Sequence, residues 1–326
     1  MKITMIGVGA YSTALTLMLS KKRNNNIMMW SENLEIAKDF NENHKVSKIF
    51  PDLELPFNVN ITNSFEEALK DSSLIFIAVA AKYVSSVCDG LKPYYKKHIP
   101  ICIASKGIEE ETGSFLSDII KNKLGTENIS VLSGPTFAID MVNNEPTALA
   151  LAGTNEETIN IVKENLANDT LKLRECSDLI GIQICGSIKN VIAIAAGMIK
   201  GLGYTESTLA FLINESLHDI KYLIDELGGD KKTVLSFAGV GDLLLTCTST
   251  KSRNFSFGYT VGSTKDPKQI KEFLENHTVE GYYTLSSIYK LVKTNNINLP
   301  IINLIYDIIM NDKDPNLLAR FLIEKK

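Results

Sequence analysis

A lysine embedded in apolar sequence is the residue best suited to acid–base chemistry in this chain. Lys189 and Asn190 lie in the run Ser187-Ile188-Lys189-Asn190-Val191-Ile192-Ala193-Ile194-Ala195-Ala196-Gly197. A lysine in such a run must reach solvent, pair with an acid or line a pocket. Partial burial near a second cation lowers a lysine's pKa. The pattern therefore suits Lys189 to exchange a proton with a carbonyl or hydroxyl oxygen.

A second lysine and an aspartate are further candidates for a functional site. Lys106 follows the apolar segment Ile101–Ala104, at the predicted carboxyl end of a parallel strand, where such folds open their ligand crevice. Asp242 lies between a Gly-x-Gly turn and an apolar helix start. The alternatives are a solvent-facing lysine and a helix-capping aspartate, although a capping carboxylate can also hold a lysine.

Two further segments offer donors for an anionic substrate. Ser252-Arg253-Asn254 supplies a hydroxyl, a guanidinium fork and an amide, which match a terminal phosphate. Ser133-Gly134-Pro135-Thr136 is a strand-to-helix turn in which a glycine and a hydroxyl can approach a ligand. Each of these segments, taken alone, also fits an ordinary turn.

A glycine pair near the N-terminus predicts a nucleotide-binding turn. Gly7 and Gly9 lie between the apolar segment Lys2–Ile6 and a helical pattern, where backbone amides can hold a pyrophosphate. Ser12 replaces the third glycine of the usual fingerprint. Glu32 follows the next predicted strand, where an acid bonds a ribose and disfavours a 2′-phosphate. The turn therefore predicts a dinucleotide site, and the alternative is a tight turn that binds nothing. Glu32 favours NAD over NADP, and the alternative is a solvated acid on the surface.

Alternating strand and helix patterns predict the elements that carry these residues. The first half predicts βαβ units and a parallel sheet that extends to about residue 187. Beyond it, helical spacing dominates, with glycine turns expected at 201–203, 239–241 and 258–262. We therefore expect an α/β chain with a dinucleotide-binding domain over 1–187 and a mostly α-helical substrate and catalytic domain over 188–326. The predicted strands and helices are Lys2–Ile6, Ser12–Lys22, Asn26–Trp30, Asn33–Asn41, Leu74–Ala78, Tyr83–Leu91, Ile101–Ala104, Phe115–Lys121, Ser130–Leu132, Ala148–Ala152, Glu156–Ala167, Thr170–Leu173, Thr208–Leu227, Pro267–Glu275, Thr284–Lys293 and Leu299–Met310.

Composition narrows the classes of partner. With 38 acidic and 34 basic residues, a net charge of -4 and no long basic block, no nucleic-acid footprint is expected. Five scattered cysteines suit a reducing compartment, and we expect a cytoplasmic protein. The longest apolar stretch, Val191 to Ile199, is too short for stable membrane insertion. The four histidines are isolated and no metal site is expected.

Taken in order, these motifs resemble the bacterial type of NAD(P)-dependent glycerol-3-phosphate dehydrogenase. The resemblance covers nearly the whole chain: GxGxYxTAL, SKGIExETG, SGPTFA, KNVIAIAAGMxxGLG, GxGDLLLTCTSxxSRNxxFG and VEGYxT. It implies an N-terminal Rossmann domain with a doubly wound sheet, followed by a mostly α-helical C-terminal domain. It also implies hydride transfer between a nicotinamide and a small phosphate substrate, dihydroxyacetone phosphate or sn-glycerol 3-phosphate. It also implies a role in phospholipid precursor synthesis and allows a homodimer.

The resemblance assigns a role to individual residues. Lys189 would exchange the proton, with Lys106 and Asp242 orienting and tuning it, and Lys106 and Asn190 could stabilise the oxyanion. The implied substrate-binding residues are Lys106, Gly134, Thr136, Lys189, Asn190, Asp242, Ser252, Arg253 and Asn254. The implied cofactor-binding residues, including those of the glycine turn, are Gly7, Gly9, Ala10, Tyr11, Ser12, Glu32, Lys106, Ala138, Arg253, Thr278 and Glu280.

Several departures from the family pattern keep alternatives open. In addition to Ser12 and Glu32, Ala80-Ala81 departs from the family, which usually has Pro-Ser at these positions. The cofactor is therefore NAD or NADP, with a lean to NAD. The segment 204–215 departs near the expected substrate pocket and allows an altered substrate or weak activity. The rival interpretations are a dehydrogenase of the same plan acting on a β-hydroxyacid or another polyol phosphate, and a nucleotide-binding regulatory protein without catalysis.

Overall fold

The computed structural model describes residues 1–264 and 266–324 of the chain. It divides into two compact units, a strand unit of Met1–Ser105 with Leu116–Leu179, and a helical unit of Lys106–Phe115 with the chain from Ile180 onward. Residue 187, where the sequence analysis put the end of the first domain, lies inside an uninterrupted helix. The apolar run that suggested that boundary is therefore the middle of a helix.

The described strand unit combines ten strands with seven α-helices and one 3₁₀ helix, Ala81–Tyr83. The strands are β1 (Lys2–Ile6), β2 (Asn26–Trp30), β3 (Lys45–Val46), β4 (Phe50–Glu54), β5 (Val59–Thr62), β6 (Leu74–Ile77), β7 (Ile101–Ile103), β8 (Ile129–Ser133), β9 (Thr147–Gly153) and β10 (Leu171–Cys176). The helices are α1 (Ala10–Ser20), α2 (Leu34–Asn43), α3 (Phe65–Leu69), α4 (Val84–Leu91), α5 (Leu116–Leu124), α6 (Ala138–Val142) and α7 (Glu156–Leu166).

Eight strands form one sheet in the order β10-β9-β8-β7-β6-β1-β2-β5. Central β1 pairs in parallel with β2 on one side and with β6 on the other. The chain thus changes direction across the sheet at β1, and ligands bind at such a switch point in open α/β sheets. Ile3, Met5 and Phe76 are fully buried in the core that supports this edge.

The expectation of a parallel sheet is confirmed except at one pair of strands. β8 and β9 are antiparallel, and β10 is again parallel to β9. The only helix between β8 and β9 is α6, whose five residues span roughly 7.5 Å. That is too short to return the chain along a five-residue strand of roughly 17 Å. Hydrophobic patterning predicts a strand but not its direction.

Four short elements between 44 and 70 were not predicted. The antiparallel pair β3 and β4 forms a small separate sheet, β5 extends the main sheet beside β2, and α3 follows. β5 has four residues, and β4 contains Pro51, which usually argues against a strand except at an edge. Segments this short give too little periodicity to separate them from loops.

The described helical unit contains eight α-helices. They are α8 (Leu179–Gly201), α9 (Glu206–Glu226), α10 (Asp242–Thr248), α11 (Arg253–Ser263), α12 (Pro267–Asn276), α13 (Glu280–Thr294), α14 (Pro300–Met310) and α15 (Asn316–Glu324). A 3₁₀ helix, Lys231–Leu235, and a kinked turn, Phe237–Gly241, precede α10. The expected predominance of helix after the boundary is confirmed.

Helix α8 is much longer than the apolar stretch singled out in the sequence. Its 23 residues and mean hydropathy of 1.7 make it, among the described residues, the one helix with the length and composition to cross a membrane. However, 89% of its apolar window is buried inside the protein. Such burial is typical of the core helix of a folded unit.

The glycines at 258–262 lie in a helix, which corrects the predicted turn. A Cβ at Gly258 would come 1.9 Å from the Ile194 carbonyl oxygen, and one at Gly197 would come 2.0 Å from that of Phe255. Helices α8 and α11 therefore touch backbone to backbone, which only glycine permits at these positions. This close crossing brings Asn254 of α11 beside Asn190 of α8.

Candidate active site

The glycine turn after β1 has the conformation expected of a dinucleotide-binding loop. Gly7 has a φ of 112°, and a Cβ there would lie 2.9 Å from the Ala78 carbonyl oxygen. The Gly9 amide donates to Ser12 Oγ at 2.7 Å, and that hydroxyl donates to the Gly9 carbonyl at 3.0 Å. Ser12 is 1% exposed, so this serine fits where the fingerprint has its third glycine.

The same turn fits a pyrophosphate. A Cβ at Gly9 would meet only Ser12 Oγ, at 3.9 Å, so the space beside its backbone is open. Helix α1 begins here with exposed Ala10 and half-buried Tyr11, and its N-terminus favours an anion. Glu32 is exposed and lies two residues beyond the end of β2. The role of these residues in binding a cofactor stays a prediction.

The turn after β8 contains two buried hydroxyl groups without hydrogen-bond partners. They are Ser133 Oγ and Thr136 Oγ1. Buried polar groups are nearly always bonded, so these two are suited to a ligand. Gly134 lies between them in sequence, and Ala138 starts α6. The substrate-binding role of Gly134 and Thr136 stays a prediction.

In the helical unit one carboxylate holds two lysines. Asp242 is 1% exposed, and its Oδ1 lies 2.9 Å from Lys189 Nζ. Its Oδ2 lies 2.8 Å from Lys106 Nζ. The structure thus brings together the three residues that the sequence analysis named as catalytic. The group has two positive charges and one negative charge in a nearly dry environment.

This environment changes the proton affinity of Lys189. Burial lowers the pKa of Lys189 below its usual 10.5, and the neighbouring Lys106 lowers it further, while the Asp242 and Glu280 carboxylates oppose the shift. A lysine with a lowered pKa releases and recovers a proton more readily near neutral pH. The electrostatics of the cluster therefore suit general acid–base catalysis.

Thr246 belongs to this cluster and was not predicted. Lys189 Nζ donates to Thr246 Oγ1 at 3.0 Å, and that hydroxyl donates to the Asp242 carbonyl oxygen at 2.6 Å. Asp242 and Thr246 are four residues apart on α10, which places both on one helix face. This i, i+4 spacing from Asp242 was the feature of the sequence that could have indicated Thr246. Of the three N–H groups of Lys189, two point to Asp242 and Thr246, which leaves one direction for a ligand.

The two predicted asparagines are linked to α13. Asn254 Nδ2 donates to Asn190 Oδ1 at 3.0 Å, and the Gly281 amide donates to Asn254 Oδ1 at 2.8 Å. Asn190 Nδ2 donates to Glu280 Oε2 at 3.2 Å. Glu280, expected from the sequence only at the cofactor, therefore also contacts a substrate-binding residue.

The remaining predicted residues lie at helix ends. Ser252 caps α11 by accepting a hydrogen bond from the Phe255 amide at 3.2 Å. Arg253 is the first residue of that helix and is exposed, and Thr278 is exposed shortly before α13. The helical unit thus gathers the lysines, Asp242 and the asparagines, whereas Arg253 and Thr278 remain at its surface.

The divergent segment 204–215 includes the first half of α9. Part of α9 lines a cavity of about 460 Å³ with Leu244 and Thr248 of α10. Leu244 is two residues from both Asp242 and Thr246, which on a helix is nearly the opposite face. The position of this segment beside the substrate pocket stays a prediction.

A dinucleotide turn in a doubly wound sheet, together with a buried lysine held by a carboxylate, is typical of a two-domain nicotinamide-dependent dehydrogenase. Residues 2–159 match the family description "NAD-dependent glycerol-3-phosphate dehydrogenase N-terminus", and residues 178–320 match the corresponding C-terminus. The chain therefore belongs to the NAD-dependent glycerol-3-phosphate dehydrogenase family.

Individual relatives agree over the full length. The glycerol-3-phosphate dehydrogenase (NAD(P)+) of Leptospira biflexa is 34% identical over 328 residues, covering 100% of this chain and 98% of that one. The protein of the same name from Staphylococcus haemolyticus is 32% identical over 317 residues, covering 95% and 94%. The crystal structure of glycerol-3-phosphate dehydrogenase from Coxiella burnetii has a TM-score of 0.94 at 28% identity, covering 99% of each chain. The family resemblance and the α/β fold with a helical C-terminal part are thereby confirmed.

Proposed function

We propose that this chain is an oxidoreductase that interconverts dihydroxyacetone phosphate and sn-glycerol 3-phosphate with NAD or NADP. The observation that carries the proposal is the buried Lys189, held by Asp242 and Thr246 with one N–H direction left for a substrate oxygen. The relatives are named for this substrate and for both cofactors. Membership of their family supports the same reaction here.

The side chains of the cluster suit the proton chemistry of this reaction. A nicotinamide supplies a hydride to C2 of the ketone during reduction and removes it during oxidation. Lys189 gives a proton to the C2 oxygen in the first direction and takes it back in the second. Lys106 adds positive charge close to that proton transfer and, with Asn190, stabilises the developing oxyanion. Asp242 keeps both ammonium groups in place.

The phosphate group of the substrate calls for a separate set of donors. Ser252, Arg253 and Asn254 lie at the N-terminus of α11, where a helix favours an anion and a guanidinium adds charge. Gly134 and Thr136 keep the substrate-binding role that the resemblance gives them. The buried Thr136 hydroxyl, which has no partner, supports that role.

For the cofactor we propose NAD ahead of NADP. Glu32 is an exposed acid just beyond β2 in a doubly wound sheet. An acid in this position accepts hydrogen bonds from the ribose hydroxyls and repels a 2′-phosphate. Glu32 therefore supports a preference for NADH over NADPH.

We also propose the cellular setting and the assembly. A cytoplasmic enzyme of this kind would supply glycerol phosphate for phospholipid synthesis, which agrees with the five free cysteines of the described chain. The assembly proposed is a homodimer. Light scattering during size-exclusion chromatography should give about twice the chain mass of 36.0 kDa. A mass of one chain at micromolar concentration would contradict the dimer.

The reaction is tested by following oxidation of NADH, and separately NADPH, with dihydroxyacetone phosphate. The wild-type protein should turn over, and Lys189→Ala should lose about 10²-fold to 10⁴-fold in kcat, which is the usual contribution of a general acid. Lys200→Ala is the matched control, because Lys200 lies on the same helix but pairs with exposed Glu206. Nucleotide binding should be the same in all three proteins.

Two results would contradict this function. Nucleotide binding without turnover would favour a regulatory protein. Faster turnover of a β-hydroxyacid or another polyol phosphate would favour a relative with altered substrate. A Lys189→Ala variant with wild-type kcat would remove Lys189 from the mechanism.

A further inference from the structure

The amides of Asn190 and Asn254 are held at both ends by neighbouring residues of α13. The Gly281 amide is a donor only, and it bonds Asn254 Oδ1 at 2.8 Å. The Glu280 carboxylate is an acceptor when ionised, and it bonds Asn190 Nδ2 at 3.2 Å. Between them Asn254 Nδ2 donates to Asn190 Oδ1 at 3.0 Å. The four residues form a closed chain of hydrogen bonds, because Glu280 and Gly281 are adjacent in sequence.

This chain of bonds fixes which way each amide points. The oxygen and nitrogen of an asparagine amide are nearly equal in size, so its direction depends on the partners at its two ends. A backbone N–H at one end and a carboxylate at the other allow a single direction for both amides. Each amide nitrogen then keeps a second N–H for a ligand.

We propose that Glu280 is a positioning residue of this enzyme, which together with Gly281 orients the Asn190 and Asn254 amides so that their remaining N–H groups face substrate. The inference rests on the proposed function and goes beyond it, because Glu280 acts here through Asn190. Asn190 is 2% exposed and Asn254 is 8% exposed, so water would not replace a lost partner readily.

The close fit of Gly281 supports this arrangement. A Cβ at Gly281 would come 2.5 Å from the Asn190 carbonyl oxygen and 2.9 Å from Asn254 Oδ1. Any side chain at this position would push the start of α13 away from both asparagines. The glycine thus allows α13 to reach the site, and the preceding Glu280 completes the bonds.

The charge of Glu280 gives it a second, separable effect. Asp242, Lys106 and Glu280 are the charged groups that act on Lys189, and Glu280 raises its pKa. Burial raises the pKa of the nearby Cys247 thiol, so that thiol stays neutral and adds no charge. Removing the Glu280 charge should therefore lower the pKa of Lys189 without disturbing Asp242.

Two substitutions separate orientation from charge. In Glu280→Gln the side-chain oxygen can still accept from Asn190, since Gly281 continues to fix the direction of the chain. Its kcat for dihydroxyacetone phosphate reduction should stay within about 3-fold of wild type at low pH, with the alkaline decline shifted to lower pH. Glu280→Ala leaves Asn190 without its acceptor and should lose about 10-fold to 100-fold in kcat.

Controls identify a merely structural or cofactor-binding role. Glu275→Gln removes an exposed acid from α12 and should match wild type. NADH affinity, measured by fluorescence, should fall less than kcat does in Glu280→Ala, because the proposal gives Glu280 a role at the asparagines in addition to the cofactor contact that the resemblance implies. Gly281→Ala should lower kcat without changing any charge.

Three outcomes would overturn the inference. They are a wild-type kcat for Glu280→Ala, a defect confined to NADH affinity, and equal damage by Gln and Ala at every pH. A wild-type enzyme that does not turn over dihydroxyacetone phosphate would instead refute the proposed function, and it would do so before any variant is compared.

Discussion

The glycine turn of the strand unit and the lysine cluster of the helical unit prepare for ligands in opposite ways. The turn offers backbone and open space beside Gly9, where a missing side chain leaves room for a pyrophosphate. The cluster offers side chains packed around Asp242, which is 1% exposed and bridges two lysines. A side chain added to the turn should therefore affect binding, whereas a charge removed from the cluster should affect folding as well as chemistry.

Glycine itself has different roles in the two units. At Gly9 the absent Cβ faces open space, and at Gly258 it faces the Ile194 carbonyl oxygen at 1.9 Å. The first glycine keeps a site accessible, and the second allows two helices to touch. The same residue type thus acts on function in one unit and on stability in the other.

The largest effect on this contrast should come from Asp242→Asn. The substitution takes from the buried Lys189 the carboxylate that holds it, and breaking a buried ion pair typically costs about 3–5 kcal/mol of unfolding free energy. Urea denaturation measures the loss. Asp225→Asn is the control, because Asp225 pairs with Lys231 at an exposed site, and it should cost less than about 1 kcal/mol. Equal stability of the two variants would show that the cluster is not electrostatically coupled to folding.

The next effect compares two alanine substitutions. Gly258→Ala forces a methyl against the α8 backbone and should destabilise the protein by about 1–3 kcal/mol. Gly9→Ala should cost less than about 1 kcal/mol but weaken NADH binding roughly 10-fold, because its methyl occupies the space for the pyrophosphate. Urea denaturation and NADH fluorescence measured on both variants give the comparison. A stable Gly258→Ala protein would contradict the backbone contact between α8 and α11.

The sequence predicts the turn better than the cluster because the turn is local. Gly7, Gly9 and the following helix lie within a few residues, so spacing alone indicates the site. Lys106 and Asp242 are 136 residues apart, and only the family resemblance put them together. Thr246 was missed although its spacing from Asp242 was visible, because a threonine within a helix is usually structural. The bond from Asn190 to Glu280 depends on how α8 and α13 pack, which no local pattern contains.

The segment 258–262 shows a second case in which local sequence does not predict tertiary packing. Glycine favours turns when only neighbouring residues are considered, and the sequence analysis predicted one there. The structure has α11 continuing to Ser263 because the glycines accommodate α8. Tertiary packing thus overrides the local preference, as it does at the antiparallel β9.

The pH dependence tests the electrostatic side of the comparison. Burial and Lys106 lower the pKa of Lys189, so the protonated acid disappears below the usual lysine value of 10.5. The kcat for ketone reduction should fall as pH rises through this lowered pKa, up to about tenfold per unit. Oxidation of sn-glycerol 3-phosphate needs the neutral amine and should rise over the same interval. Steady-state kinetics in both directions check the signs, and parallel profiles would exclude Lys189 as the shared acid and base.

The smallest effect expected concerns the choice of cofactor in the strand unit. Glu32→Arg replaces an exposed acid beyond β2 with a guanidinium that can pair with a 2′-phosphate. The ratio of kcat/KM for NADH to that for NADPH should fall roughly 10-fold, a change of about 1.4 kcal/mol. Glu35→Arg is the control, because Glu35, which lies on α2, pairs with Lys48 at the surface. Since Glu32 belongs to the strand unit, both variants should keep the wild-type pH profile, and a shifted profile would mean that the two regions are not independent.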